Sequence, residues 1–127
     1  MGKCLSYKYD RVVKIDGFKQ LSANNKDSFF SFLNKQPTSI AIQMLPTYRL
    51  YGGGFIDTKW PCGFFYNHGI MAVGYDLDND GNGGYLILKN TYGVNWGVDG
   101  YMYFSVWLGD TGMCACIYIY DTQPYFN

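Results

Sequence analysis

Among 127 residues there is one imidazole, His68, in the run Tyr66-Asn67-His68-Gly69. A lone histidine is most often a surface or core residue, so on its own it argues little. A second feature changes the reading: Lys89-Asn90-Thr91-Tyr92-Gly93-Val94-Asn95-Trp96-Gly97, about twenty residues later. Residues 69–75 and 84–90 are apolar runs around a polar loop and predict a β-hairpin. An antiparallel hairpin sets the start of one strand beside the end of the other, so His68 and Asn90 are expected to meet. A carboxamide oxygen accepting the imidazole N–H would fix its tautomer and leave the other nitrogen for a nucleophile. Tyr92 and Trp96 could shield that hydrogen bond from water and so strengthen it.

Other chemistry-bearing groups are weaker. Cys4, Cys62, Cys114 and Cys116 are too few for a disulfide scaffold. Cys114 and Cys116 are also spaced too closely for a structural zinc pair, so no metal site is assigned. Spacing leaves open which of them, if any, pair in a disulfide. Asp76-Leu77-Asp78-Asn79-Asp80-Gly81 has the acidic spacing of the first half of a calcium loop. Ile87 stands where the closing Glu is needed, and helices are not expected on either side, so a hairpin turn is preferred. Gly52-Gly53-Gly54 lacks the following Lys and hydroxyl of a phosphate loop and reads as a turn. No cofactor is implied.

The elements that must position these groups are mostly strands. Residues 10–16, with Val12, Val13 and Ile15, read as a short strand before a turn at Asp16 and Gly17. Asn24 or Asn25 can cap a helix in which Phe29, Phe30 and Leu33 form one face, ending near Lys35 because Pro37 cannot continue it. Ile40, Ile42 and Met44 alternate with polar or small residues. Further strands are expected near residues 100–106 and 116–120. The economical architecture is a single mainly β domain over residues 1–127, an antiparallel barrel of about six strands with one short helix.

Ten basic and ten acidic side chains balance, which argues against a nucleic-acid binder. No apolar run reaches the roughly 20 residues of a membrane span. Residues 1–20 show no apolar signal core. Met1-Gly2 with Ser6 formally fits a myristoylation pattern, but such short patterns recur by chance. The reading preferred is that Met1 opens a truncated or reinitiated chain.

Four segments occur in order: Gln36-Pro37-Thr38-Ser39-Ile40-Ala41-Ile42, Leu50-Tyr51-Gly52-Gly53-Gly54-Phe55-Ile56, Asn67-His68-Gly69-Ile70-Met71-Ala72-Val73-Gly74-Tyr75, and residues 89–97. Together they resemble the carboxy-terminal half of papain-family cysteine peptidases, including the cathepsins, from about Cys4 to Tyr125. The resemblance implies that His68 is the general base of a catalytic thiol and Asn90 its orienting partner. It implies that Trp96 is the aromatic beside that Asn. Tyr92 stands where the family has Trp, and Thr91 where it has Ser. Cys62 and Cys114 match a family disulfide, and Cys4 the cysteine that bonds to the amino-terminal lobe. Ala41, Tyr66, Gly69 and Ile119 match a pocket for the second residue before the scissile bond, which the bulk of Tyr66 would narrow. A lysosomal or secreted setting is implied, at odds with the bare amino terminus.

The family nucleophile, in a Cys-Gly-Ser-Cys-Trp-like segment well upstream of the histidine, has no match here. Nor does the Gln that assists the oxyanion. The expectation is a lobe that supplies His68 and Asn90 and is inactive without a partner lobe bearing the Cys and binding a peptide substrate. The alternative is a noncatalytic structural or assembly subunit.

Overall fold

The structure, a computed structural model, describes residues 2–20, 26–56, 65–79, 83–105 and 122–126. Among these residues seven strands and one α-helix follow in chain order: β1 (Gly17–Gln20), α1 (Lys26–Leu33), β2 (Thr38–Ile42), β3 (Phe55–Ile56), β4 (His68–Leu77), β5 (Gly84–Lys89), β6 (Tyr101–Ser105) and β7 (Thr122–Tyr125). They form one sheet in the order β1-β7-β2-β4-β5-β6-β3. All neighbours are antiparallel except β3 and β6. The fold is mainly β with one helix, as expected, but the sheet does not close. A barrel needs a continuous ladder around its circumference. Here β1 and β3 are the two ends, and β3 is only two residues long.

The hairpin of β4 and β5 falls where the two apolar runs around a polar loop place it. Inward residues Ile70, Ala72, Leu86 and Leu88 are buried, with Ile40 and Ile42 of β2 and Met102 and Phe104 of β6. Helix α1 lays Phe29, Phe30 and Leu33 on this layer. Such an eight-residue helix is marginal without packing. Burial of each large apolar side chain contributes roughly 1.5–3 kcal/mol. The expected caps Asn24 and Asn25 lie outside the described residues.

Two expectations differ at the periphery, and a third falls outside the described residues. Val12 is 97% exposed and residues 10–16 form no strand. The first strand begins at Gly17 because its partner is β7, more than a hundred positions away. The expected strand at 116–120 lies outside the described residues, and the observed β7 contains Pro124. That proline pairs with Phe18 beyond the point where β7 leaves β2, a position that tolerates a missing N–H. Pro46–Leu50, read as part of a strand-and-turn region, is a 3-10 turn.

Candidate active site

His68 opens β4, opposite Ile42. It shares the inward face with Ile70 and Ala72, so its ring sits at one end of the core layer. The residue before it is clamped. Asn67 donates its backbone N–H to Ile42 O at 3.1 Å, its Oδ1 accepts from Met44 N at 2.7 Å, and its Nδ2 donates to Met44 O at 3.2 Å. Asn67 was visible in the sequence only as part of a motif. Its double bond to one backbone unit needs the β2 extension beside it.

Asn90 follows β5 on the same inward row as Leu86 and Leu88, and is buried. Its N–H donates to Gly100 O at 3.0 Å. His68 Nε2 lies 2.7 Å from Asn90 Oδ1, and Thr91 N donates to that same oxygen at 2.8 Å. A backbone N–H can only donate, so the atom facing Thr91 is the amide oxygen. The same oxygen can only accept, so His68 Nε2 carries the hydrogen and Nδ1 is the basic nitrogen of the neutral ring. Thr91 supplies this bond from its backbone, independently of its side chain. Asn90 Nδ2 is buried without a hydrogen-bond partner among the described residues.

A row of rings runs outward from the imidazole. Tyr92 lies against His68 with centroids 5.3 Å apart, and Trp96 meets Tyr92 edge-on at 5.4 Å. Tyr51 backs Trp96 at 5.4 Å. Trp96 Nε1 donates to Arg49 O at 3.0 Å, which ties it to the 3-10 turn. Tyr92, not Trp96, is therefore the ring in direct contact with the histidine. Tyr51 was legible only as a motif letter, since Trp96 and Tyr103, which it meets here, are more than forty positions away. Gly97 closes the loop at φ 62°, where a Cβ would collide with the Tyr101 carbonyl, so the turn requires glycine.

Ala41 and Gly69 are register partners on the outward face of β2 and β4. A Cβ at Gly69 would meet nothing within 4 Å. Tyr66 is half-buried just before β4. Cys62, Cys114, Cys116 and Ile119 lie outside the described residues, as do Asp80 and Gly81. Asp78 N donates to Gly83 O at 3.0 Å, a turn bond across the acidic loop. Among the described residues no cluster of three His, Cys, Asp or Glu side chains could hold a metal ion. None of the described helices is long and apolar enough to cross a membrane.

The profile of the family described as Papain family cysteine protease matches residues 1–118. Chymopapain of Carica papaya is 36% identical over 115 residues, covering 89% of this chain and 31% of chymopapain. A probable cysteine protease of Arabidopsis thaliana is 40% identical over 95 residues, 74% of this chain and 20% of the relative. The bromelain protease of Ananas comosus, solved with the E64 inhibitor, superposes with a TM-score of 0.82 at 29% identity. That match covers 99% of this chain and 57% of bromelain. The chain thus spans about a third or less of the curated relatives' length. With the fold, the ordered motifs and the profile in agreement, this chain belongs to the papain family of cysteine proteases.

Proposed function

We propose that this chain is the histidine-bearing lobe of a papain-type cysteine protease, inactive until joined by a lobe that carries the nucleophilic Cys. The observation that carries this reading is the His68–Asn90 bond of 2.7 Å, with the acceptor oriented by Thr91 N–H. A scaffold has no need of an imidazole held in one tautomer.

In the assembled site His68 Nδ1 takes the proton of the partner's thiol, and the thiolate attacks the substrate carbonyl carbon. The imidazolium returns that proton to the amine as the C–N bond breaks. Nδ1 then removes a proton from water, which attacks the thioester and frees the carboxylate and the thiol. Nε2–H stays on Asn90 throughout, so the ring does not rotate between steps. Ala41, Gly69, Tyr66 and Ile119 would line the pocket for the second residue before the cut. A Cys62–Cys114 disulfide would close a long loop and stabilise the lobe by about 3–4 kcal/mol. Cys4, exposed in the structure, would bond to the other lobe.

The test combines the full chain with an amino-terminal papain-type lobe and a fluorogenic dipeptidyl substrate. The chain alone is expected to be inert, and the complex to show thiol-dependent turnover. His68→Ala should lower kcat by about 10²–10⁴-fold, and Asn90→Ala by about 10- to 100-fold. A complex that forms by size exclusion yet never turns over would instead make this a noncatalytic assembly subunit. Turnover by the chain alone that depends on His68 would require a nucleophile within these 127 residues.

A further inference from the structure

The outward face of the sheet carries a second concentration of side chains. Phe55 of β3, Tyr85 of β5 and Tyr103 of β6 form a triangle of rings. Their centroids are 4.9 Å apart for Phe55 and Tyr85, 5.9 Å for Phe55 and Tyr103, and 5.7 Å for Tyr85 and Tyr103. Phe55 is 63% exposed, which is high for a ring already packed against two others. Asp76 of β4, also exposed, lies beside them, and the Tyr85 hydroxyl donates to its Oδ2 at 3.4 Å.

Backbone irregularity puts the carboxylate there. Eight positions separate Asp76 from His68, so strict alternation would give both the same face. The register of β4 on β5 shifts between Ala72 and Gly74. The extra residue turns Tyr75 inward, where it packs on Phe30 at 4.5 Å, and Asp76 outward opposite Tyr85. The Tyr85 phenol is held above its usual pKa, first by partial burial and then by the negative charge of Asp76. The described cation–ring contacts are Lys8 on Tyr7, Lys19 on Tyr125 and Lys35 on Phe32, so none uses these three rings.

An exposed ring face attracts a cation through its quadrupole, and the neighbouring carboxylate adds Coulombic attraction and an acceptor. A guanidinium can use both at once, because it is planar enough to stack and forked enough to bond a carboxylate. The rings are tilted by 51°, 60° and 85° to one another. They therefore present separate ring faces rather than one extended stacking surface. We propose that Phe55, Tyr85, Tyr103 and Asp76 form a binding site for an arginine side chain of a partner polypeptide, on the sheet face opposite His68 and Asn90.

The test titrates the full, isotope-labelled chain, assembled with an unlabelled amino-terminal papain-type lobe, with a blocked Gly-Arg-Gly peptide while following backbone amide signals. Saturable shifts centred on residues 55, 76, 85 and 103 are expected, and citrulline in place of arginine should abolish them. Phe55→Leu keeps an apolar group without a ring, and Asp76→Asn keeps shape without charge. Each should weaken binding by about two- to fivefold, with the amide spectrum confirming that the fold is intact. Equal binding of the citrulline peptide, no loss in Asp76→Asn, or shifts confined to other residues would overturn the proposal. So would stronger shifts at these residues with maltose, which would mark a saccharide site.

Discussion

Asn90 shows how one side chain can do two jobs that conflict. Its oxygen takes hydrogens from His68 and Thr91, while its nitrogen, also buried, has no acceptor among the described residues. Leaving a buried donor unpaired costs about 1–3 kcal/mol, a penalty accepted here for control of the imidazole. Tyr92 lies at the same scale, its ring 5.3 Å from the imidazole, and on the proposed reading it excludes water from that bond. In the assembled enzyme Tyr92→Ala should lower kcat by about two- to tenfold with KM little changed, measured by steady-state kinetics. Cys4 allows a separate check on residue chemistry. Its Sγ is 3.2 Å from Ser6 Oγ, and hydrogen bonds from the Ser6 side chain and backbone lower its pKa, against a smaller opposing effect of burial. A lowered pKa means more thiolate below the ordinary thiol value, so Ser6→Ala should slow iodoacetamide alkylation of Cys4 near neutral pH. Equal alkylation rates would show that Ser6 does not activate the thiol.

At the scale of elements, the ends of secondary structure hold the molecule together. Helix α1 has no glycine cap. The chain after it is tied instead to Gln123 of β7, whose Nε2 lies 2.7 Å from Phe32 O, 2.7 Å from Gln36 O and 2.6 Å from Thr38 Oγ1. An amide with two hydrogens cannot serve three acceptors equally, but all three are within reach. Gln123 is 5% exposed, so Gln123→Ala should cost about 1–3 kcal/mol, read as a lower midpoint in urea. The loop of residues 91–100 depends on Gly97 in the left-handed region. Gly97→Ala should displace Trp96 and Tyr51, visible as altered near-ultraviolet circular dichroism. An unchanged spectrum would mean that the loop absorbs a Cβ.

For the whole molecule, surface area is the informative quantity. A self-contained monomer of 14.5 kDa is expected to expose about 6,900 Å². This chain exposes 8871 Å². Among the described residues, much of 2–16 is uncovered, with Tyr7, Tyr9, Val12 and Val13 each at least 70% exposed. The chain aligns with only 57% of bromelain, and on the proposed reading a partner lobe corresponding to the remainder covers this surface. Alone, the chain should associate at micromolar concentration and bind a hydrophobic dye, and a papain-type partner lobe should reverse both. A monodisperse monomer by light scattering would show that the surface is tolerated uncovered.

Amino-acid order alone was enough to expect the hairpin and the meeting of His68 and Asn90 at its base. Those follow from two apolar runs and a short connection, both local properties of the chain. Local pattern also placed the apolar face of α1. It could not place β1, whose partner is at the far end of the chain, nor tell an open sheet from a barrel, since closure depends on which distant edges find each other. The roles of Asn67, Tyr51 and Gln123 were hidden for the same reason, because each bonds to groups brought near only by the folded sheet. The outward turn of Asp76 depends on a bulge, one residue of slippage between strands that composition does not announce. Sequence determines what each segment prefers, whereas tertiary structure decides which preferences are satisfied together.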